Sequence, residues 1–350
     1  MPPGLKLERK NLVADLVAGA TFAVVNVPQG MANAVLATVN PVAGLYALMI
    51  AMPVGALFTS SVFMNVSTTG ALSVAAGEAL LPFEGEEKLG ALVTLVLLVG
   101  AFQLVFGMLR LGRLIRFVSN AVMTGFISGI ALLIMFGSVP DMTGFTSGQS
   151  NHILRLADTV LNWRLLDYET VGLAVATVAL ILAFQRTPAR KIALILALAV
   201  TTALAVVIAG ARGGGTAELV GDVAIIPRSL PYPILPELTH LPAIALPAFA
   251  IAVIGLIQGA GVGESYPNPD GTFPDTSRDF VGQGAANLVA GAFGAIPCGG
   301  SMSGTAVNYQ AGARSRWSNI FAGAIVVLIV LLLVDVVKLV PMAALGGLLL

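Results

Sequence analysis

Two short stretches of this chain carry small hydroxyls, glycines and amides but no charge: 297–307 (PCGGSMSGTAV) and 65–73 (NVSTTGALS). Each opens an apolar segment. Backbone that leaves a helix inside a bilayer must be buried in protein or line a wet cavity, because lipid cannot satisfy free N–H and C=O groups. Gly299, Gly300 and Gly304 let backbone approach a ligand closely, and Ser301, Ser303 and Thr305 supply hydroxyl donors. A helix starting near Ser301 would expose its first N–H groups and the positive end of its dipole, a setting for an anion. The same argument applies to Ser67, Thr68 and Thr69. The pair reads as two helix N-termini facing each other, an anion site without a charged side chain. Small residues at tight helix contacts are the competing reading of either stretch alone; their matching positions in the two halves of the chain favour the site.

Polar groups at mid-membrane depth usually face the bundle interior or a cavity. In VPQGMANAVLATVN, Pro28 must disturb the helix, and Gln29 and Asn33, one turn apart, share a face expected to line the site. The alternative is a proline kink whose freed carbonyls the amides bond. Gln258 is the only polar side chain near mid-depth in AIAVIGLIQGAGVGES, either at the site or in an interhelical amide bond. His152 and His240 are expected in solvated loops, without the spacing of a metal site. Asp335 and Lys338, one turn apart, are expected to pair or snorkel. Gly259, Gly261 and Gly263 resemble a dinucleotide loop, but no strand precedes them. Without a Walker A, His-Glu-x-x-His or Gly-x-Ser-x-Gly motif, ATP-driven transport and the common hydrolases lack support, and no enzyme, metal or cofactor is expected.

The elements that must position these groups follow from composition. The chain of 350 residues is 57% hydrophobic and 10% charged, with mean hydropathy +0.92, far from the soluble range of about 25% charged. It is read as an all-α, polytopic integral membrane protein. The net charge is zero, so no nucleic-acid partner is expected. The single Cys298 excludes an internal disulfide. Spans are placed at 12–27 continuing unevenly to 39, 41–58, 66–81, 89–108, 117–136, 171–185 and 192–210, then 242–263, 280–296, a short helix after the 297–307 break, 317–334 and 336–350. Lys6, Arg9, Lys10, Arg110, Arg113, Arg116, Arg186, Arg190, Lys191, Arg314 and Arg316 then fall on one side, read as the cytoplasm, with the N-terminus there too. In both groups the third span is short and follows an uncharged break, as in transporters built from inverted repeats with a midplane site. The expected division is a first repeat at 1–211, an extracellular loop at 212–241 and a second, incomplete repeat at 242–350.

The segment 15–49 (DLVAGATFAVVNVPQGMANAVLATVNPVAGLYALM) resembles the opening helices of the sulfate permease (SulP) family, which includes bacterial relatives of the animal anion exchangers. Segment 116–134 (RFVSNAVMTGFISGIALLI) looks like its fifth span, and 280–323 looks like its ninth to eleventh. The resemblance implies a seven-plus-seven inverted repeat, of which about twelve of fourteen spans are present, with half-helices at spans three and ten. It also implies a mobile core of spans one to four and eight to eleven moving against a gate. It places a small inorganic anion between the N-termini of spans three and ten, and implicates Gln29, Asn33, Thr68, Thr69, Gln258, Ser301, Ser303 and Gly304. Sulfate is the default substrate; bicarbonate and chloride exchange are the alternatives within the family. The expected location is the plasma (inner) membrane, and the family commonly forms homodimers. The chain departs from the family pattern in three ways. Many members carry an Arg where this chain has Gly304. Many also place an acid at the Gln258 position, so coupling to sodium or protons through that residue is in doubt. The chain also ends after the twelfth span, without spans thirteen and fourteen or the usual STAS domain. Rival readings are a nucleobase carrier of related fold, disfavoured by Gln258 and the absence of acids in 280–334, and a non-transporting membrane sensor.

Overall fold

The computed structural model describes residues 8–112, 125, 128–129, 132, 135–136, 138–145, 147, 152–212, 214, 217–223 and 230–348. The fifth span expected at 117–136 lies largely outside these residues, as do Lys6, Arg113 and Arg116. In chain order the elements are α1 (Arg9–Leu36), α2 (Val42–Phe58), β1 (Asn65–Thr68), α3 (Gly70–Leu80), α4 (Gly85–Met108), α5 (Val139–Thr143), α6 (His152–Leu161), α7 (Tyr168–Gln185), α8 (Ala193–Arg212) and α9 (Val220–Val223). Then follow α10 (Leu241–Ser265), α11 (Thr276–Gly291), β2 (Cys298–Ser301), α12 (Met302–Gln310), α13 (Trp317–Leu332), α14 (Val334–Lys338) and α15 (Met342–Leu348). Among the described residues five helices are long and apolar enough to cross a membrane: Arg9–Leu36, Glu87–Met108, Tyr168–Gln185, Ala193–Ala211 and Leu238–Ser265. Large apolar side chains such as Val13, Val17, Val207 and Leu332 remain exposed on helix surfaces, as expected where lipid replaces water.

The chain divides into two compact units that cut across the expected repeat boundary. One comprises Met1–Gly125 with Ser229–Val330, the other Phe126–Arg228 with Leu331–Leu350.

In the first unit helices meet through small residues. A methyl group at Gly44 on α2 would fall 1.9 Å from the Gly30 carbonyl oxygen on α1, so these backbones touch. On α4, Gly100 lies against Gly284 and Leu288, and Gly107 against Val281; Gly291 meets Val96. The order reverses along the partner, so α4 and α11 run antiparallel along glycines placed seven residues apart. Close approach of this kind replaces the hydrophobic drive that lipid removes. α1 continues unbroken through Pro28, where the sequence predicts an uneven join.

Three charged side chains pin the ends of these helices. Arg316 is fully buried and donates from Nη1 to the carbonyls of Ala56 (2.9 Å) and Thr59 (2.6 Å) and from Nη2 to Ser60 (2.8 Å), closing the C-terminus of α2. Asp279 Oδ1 accepts from the Ser60 amide (2.6 Å), the Ser60 hydroxyl (2.8 Å) and the Ser61 amide (3.0 Å). Asp15 Oδ1 accepts from the amides of Arg314 (2.7 Å) and Ser315 (2.9 Å). Arg316, counted from the sequence among the cations on the cytoplasmic side, is thus engaged as a structural clamp. Burial draws its pKa down to about 10, against the pull of Asp279, so it stays charged at neutral pH.

In the second unit α7, α8 and α15 enclose a small core of Leu173, Ala174, Ala205 and Ala343. The Thr177 hydroxyl donates to Thr201 Oγ1 at 3.0 Å between α7 and α8. The sequence predicts one span at 336–350, but two short helices occupy it. Pro341 has no amide to continue α14, and its neighbours pair elsewhere: Val340 accepts from the Val220 amide and the Met342 amide donates to Glu218, both at 2.9 Å. Lys338 and Asp335 do approach, at 3.7 Å. His152 begins α6 rather than lying in a loop.

Candidate functional site

The two uncharged stretches form one structure. β1 and β2 pair antiparallel, Asn65 opposite Ser301 and Thr68 opposite Cys298, and all eight strand residues are buried. Each strand runs directly into a short helix, α3 of 11 residues and α12 of nine. Thr69 caps α3 by accepting from the Leu72 amide (3.4 Å), and Ser301 caps α12 by accepting from the Gly304 amide (3.1 Å). Side-chain caps take one first-turn N–H each and leave the others to water or a ligand. Because the strands are antiparallel, the two helices leave the ladder in opposite directions. Their N-caps are offset by four residues, roughly 13 Å at about 3.3 Å per residue.

The outer edges of the ladder are satisfied by buried amides. Asn287 Nδ2 donates to the Cys298 carbonyl and Asn287 Oδ1 accepts from the Cys298 amide, each at 2.7 Å. Asn287 Nδ2 also donates to Gln103 Oε1 at 2.7 Å, and Gln283 Oε1 accepts from the Gly300 amide at 3.1 Å. On the β1 side the Asn65 amide donates to Thr305 Oγ1 (3.0 Å), and Asn319 Nδ2 donates to the Met64 carbonyl (3.0 Å). Two strands of four residues could not persist alone in an apolar interior; these side chains complete the sheet. Gln103, Gln283, Asn287 and Asn319 were not singled out from the sequence. The signal that marks Gln258, a lone amide in an apolar helix, applies equally to Gln103, while Gln283 and Asn287 stand one turn apart as Gln29 and Asn33 do.

Of the sequence-predicted residues, Thr69 donates from Oγ1 to Gln258 Oε1 at 3.1 Å, joining the α3 cap to α10. With its oxygen engaged, the half-buried Gln258 has its amide hydrogens left to give. Asn33 Nδ2 donates to Thr68 Oγ1 at 3.0 Å, and both residues are buried. The Asn33 oxygen has no hydrogen-bond partner among the described residues, and as an acceptor it would repel an anion. Ser303 is exposed on the first turn of α12, with its hydroxyl 3.4 Å from that of Ser301. Gly304 is buried; a methyl group there would lie 3.0 Å from Ser301 Oγ and 3.1 Å from Phe22. Gly300 packs on α10, where a methyl would come 2.6 Å from the Gly259 Cα. So the packing reading holds for Gly300. Gln29 is half-buried one turn before Asn33, and no described hydrogen bond joins it to the other candidates.

The fully buried charges among the described residues are Asp15, Asp279 and Arg316, all engaged as helix clamps. His240 also departs from expectation. Its side chain is only 12% exposed, with Nε2 3.2 Å from Glu237 and 3.5 Å from Glu87, and its ring packs edge-on against Phe83.

The family model described as Sulfate permease family matches residues 12–350. The chain is 30% identical over 339 residues to the "Putative sulfate transporter YvdB" of Bacillus subtilis, covering 96% of this chain and 63% of that protein. It is 29% identical to the "Probable sulfate transporter 4.2" of Arabidopsis thaliana, covering 95% of this chain and 50% of that one. The chain thus spans half to somewhat under two thirds of these relatives. The transmembrane domain of a cyanobacterial bicarbonate transporter, BicA, superposes with a TM-score of 0.86 at 23% identity, over 98% of this chain and 89% of that domain. At that identity the likeness establishes the fold.

Proposed function

This chain belongs to the sulfate permease family, and from that premise we propose that it is a multi-pass membrane carrier of small inorganic anions. Sulfate is the default substrate, and bicarbonate or chloride is the alternative. The anion is held beside the ladder, between the first turns of α3 and α12, which serve as the half-helices of spans three and ten. Alternating access comes from an elevator-like movement of the core spans against the gate.

The observation that carries this reading is the single ladder from which two capped helix N-termini depart. Each brings a partial positive charge and free N–H groups into an apolar interior, where such charges act strongly. The offset between the caps leaves direct contact to side-chain donors as well: the Gln258 amide, the Ser303 hydroxyl and Gln29. Asn33 acts one step removed, by holding Thr68 at the end of β1. Ser301 and Thr69 form the caps, and Gly304 keeps the first turn of α12 clear of a side chain.

The test is uptake of radiolabelled sulfate by proteoliposomes. Ser303→Asp puts a negative charge on an exposed first-turn position and should abolish uptake while leaving the thermal midpoint unchanged. Gln258→Leu removes the amide donor and should cut uptake severely. Normal uptake by both variants would reject the site. Competition by bicarbonate, chloride and nitrate identifies the preferred anion.

A further inference from the structure

A cavity of about 590 Å³ lies in the first unit where α2 and α4 end and α11 begins, lined by Leu57, Phe58, Met108, Val281, Arg110 and Arg278 among others. Its wall is divided by chemistry. Leu57, Phe58 and Met108 are exposed large apolar side chains, while Arg110 and Arg278 bring two guanidinium groups. Among the described residues neither guanidinium is in an ion pair. Asp275, the carboxylate on the lining, caps α11, where Oδ1 accepts from the amides of Ser277 (2.9 Å) and Arg278 (3.3 Å); its charge offsets one arginine and leaves the lining net positive. Arg110 takes the left-handed conformation, φ +56°, just past the Leu109 C-cap of α4, a position usually given to glycine. A non-glycine residue there carries a cost in backbone strain.

We propose that this cavity binds the headgroup of an anionic phospholipid. Two guanidinium groups suit a phosphate diester, which each can grip in a bidentate fork. The volume is within the range of pockets for organic ligands and exceeds what a bare inorganic anion fills, so the apolar rim is matched to glycerol and the first acyl carbons. A zwitterionic lipid would set its own ammonium against the two arginines. The cavity lies on the side that carries Arg110, read from the sequence as cytoplasmic, where anionic lipids concentrate. Lipid binding at this cavity requires membrane embedding but not transport.

Native mass spectrometry of the full chain released from detergent, after incubation with phosphatidylglycerol or phosphatidylcholine, tests it. The parent should retain phosphatidylglycerol preferentially, and retention should weaken as salt is raised. The R110Q/R278Q double variant should lose about thirtyfold in phosphatidylglycerol affinity, the equivalent of about 2 kcal/mol at about 1 kcal/mol per arginine, with phosphatidylcholine unaffected. Met108→Asp, at an exposed rim position, should weaken phosphatidylglycerol in the same direction without touching either arginine. Equal retention of the two lipids by the parent, or unchanged phosphatidylglycerol binding in the double variant, would overturn the proposal. Displacement of phosphatidylglycerol by inorganic phosphate at matched concentration would overturn it too, in favour of a free-anion site.

Discussion

Arg316 shows how one side chain can carry a loop. Three carbonyls at the end of α2 receive its guanidinium, and Asp279 holds the amides of the same turn. Removing one partner of a buried charged network leaves the rest without compensation, at a typical cost of about 3–5 kcal/mol. Arg316→Met should therefore lower the thermal midpoint sharply and reduce the folded yield in detergent. A variant as stable as the parent would show that water replaces the guanidinium. Ser301 makes a smaller contribution of a different kind. Ser301→Ala removes the α12 cap, worth about 1 kcal/mol, and frees the Gly304 amide. Although the freed Gly304 amide is one more donor, the uncapped first turn of α12 frays and no longer holds its N–H groups in place, so the protein should fold with slightly lower stability and show a raised KM for sulfate uptake.

At the scale of elements, the ladder depends on helices that come close enough to touch. The α4–α11 contact is set by Gly100 and Gly284, and α11 carries the two amides, Gln283 and Asn287, that close the edge of β2. A methyl group at Gly284 would lie 2.5 Å from the Leu104 backbone nitrogen, a distance that only separation of the helices relieves. Overpacking of this kind costs about 1–3 kcal/mol. Gly284→Val should therefore impair sulfate uptake as well as stability, because it moves the amides that hold β2. Measuring both on one preparation checks the link; lost stability with full uptake would separate the packing from the site.

For the molecule as a whole, the proposed site contains no titratable side chain. Asn33, Thr68, Thr69, Gln258, Ser301 and Ser303 do not change charge near neutrality. Uptake of sulfate, a dianion throughout that range, should be flat with pH around neutrality. A step in the profile would place a histidine or carboxylate on the transport path. The chain divides into two compact units, each assembled from two segments that are distant in sequence.

Much of this could be read from residue order alone. Composition made the chain a helical membrane protein, because charge so sparse and apolar runs so long have no stable place in water. The two uncharged stretches were visible because polar, glycine-rich backbone within lipid needs a purpose. Pairing was suggested by their matching places in the chain, but residue order does not say that the contact is a hydrogen-bonded ladder with Asn65 opposite Ser301. Backbone hydrogen bonding leaves no periodic mark in four-residue strands, and partners more than two hundred positions apart are brought together only by folding. For the same reason the roles of Asn287, Gln283 and Arg316 were hidden: an amide or guanidinium at a given position has one appearance in sequence, whether it meets a ligand, a headgroup or an otherwise orphaned backbone. Types and spacing determined which groups were available, and the tertiary structure decided which were already spent on the protein itself.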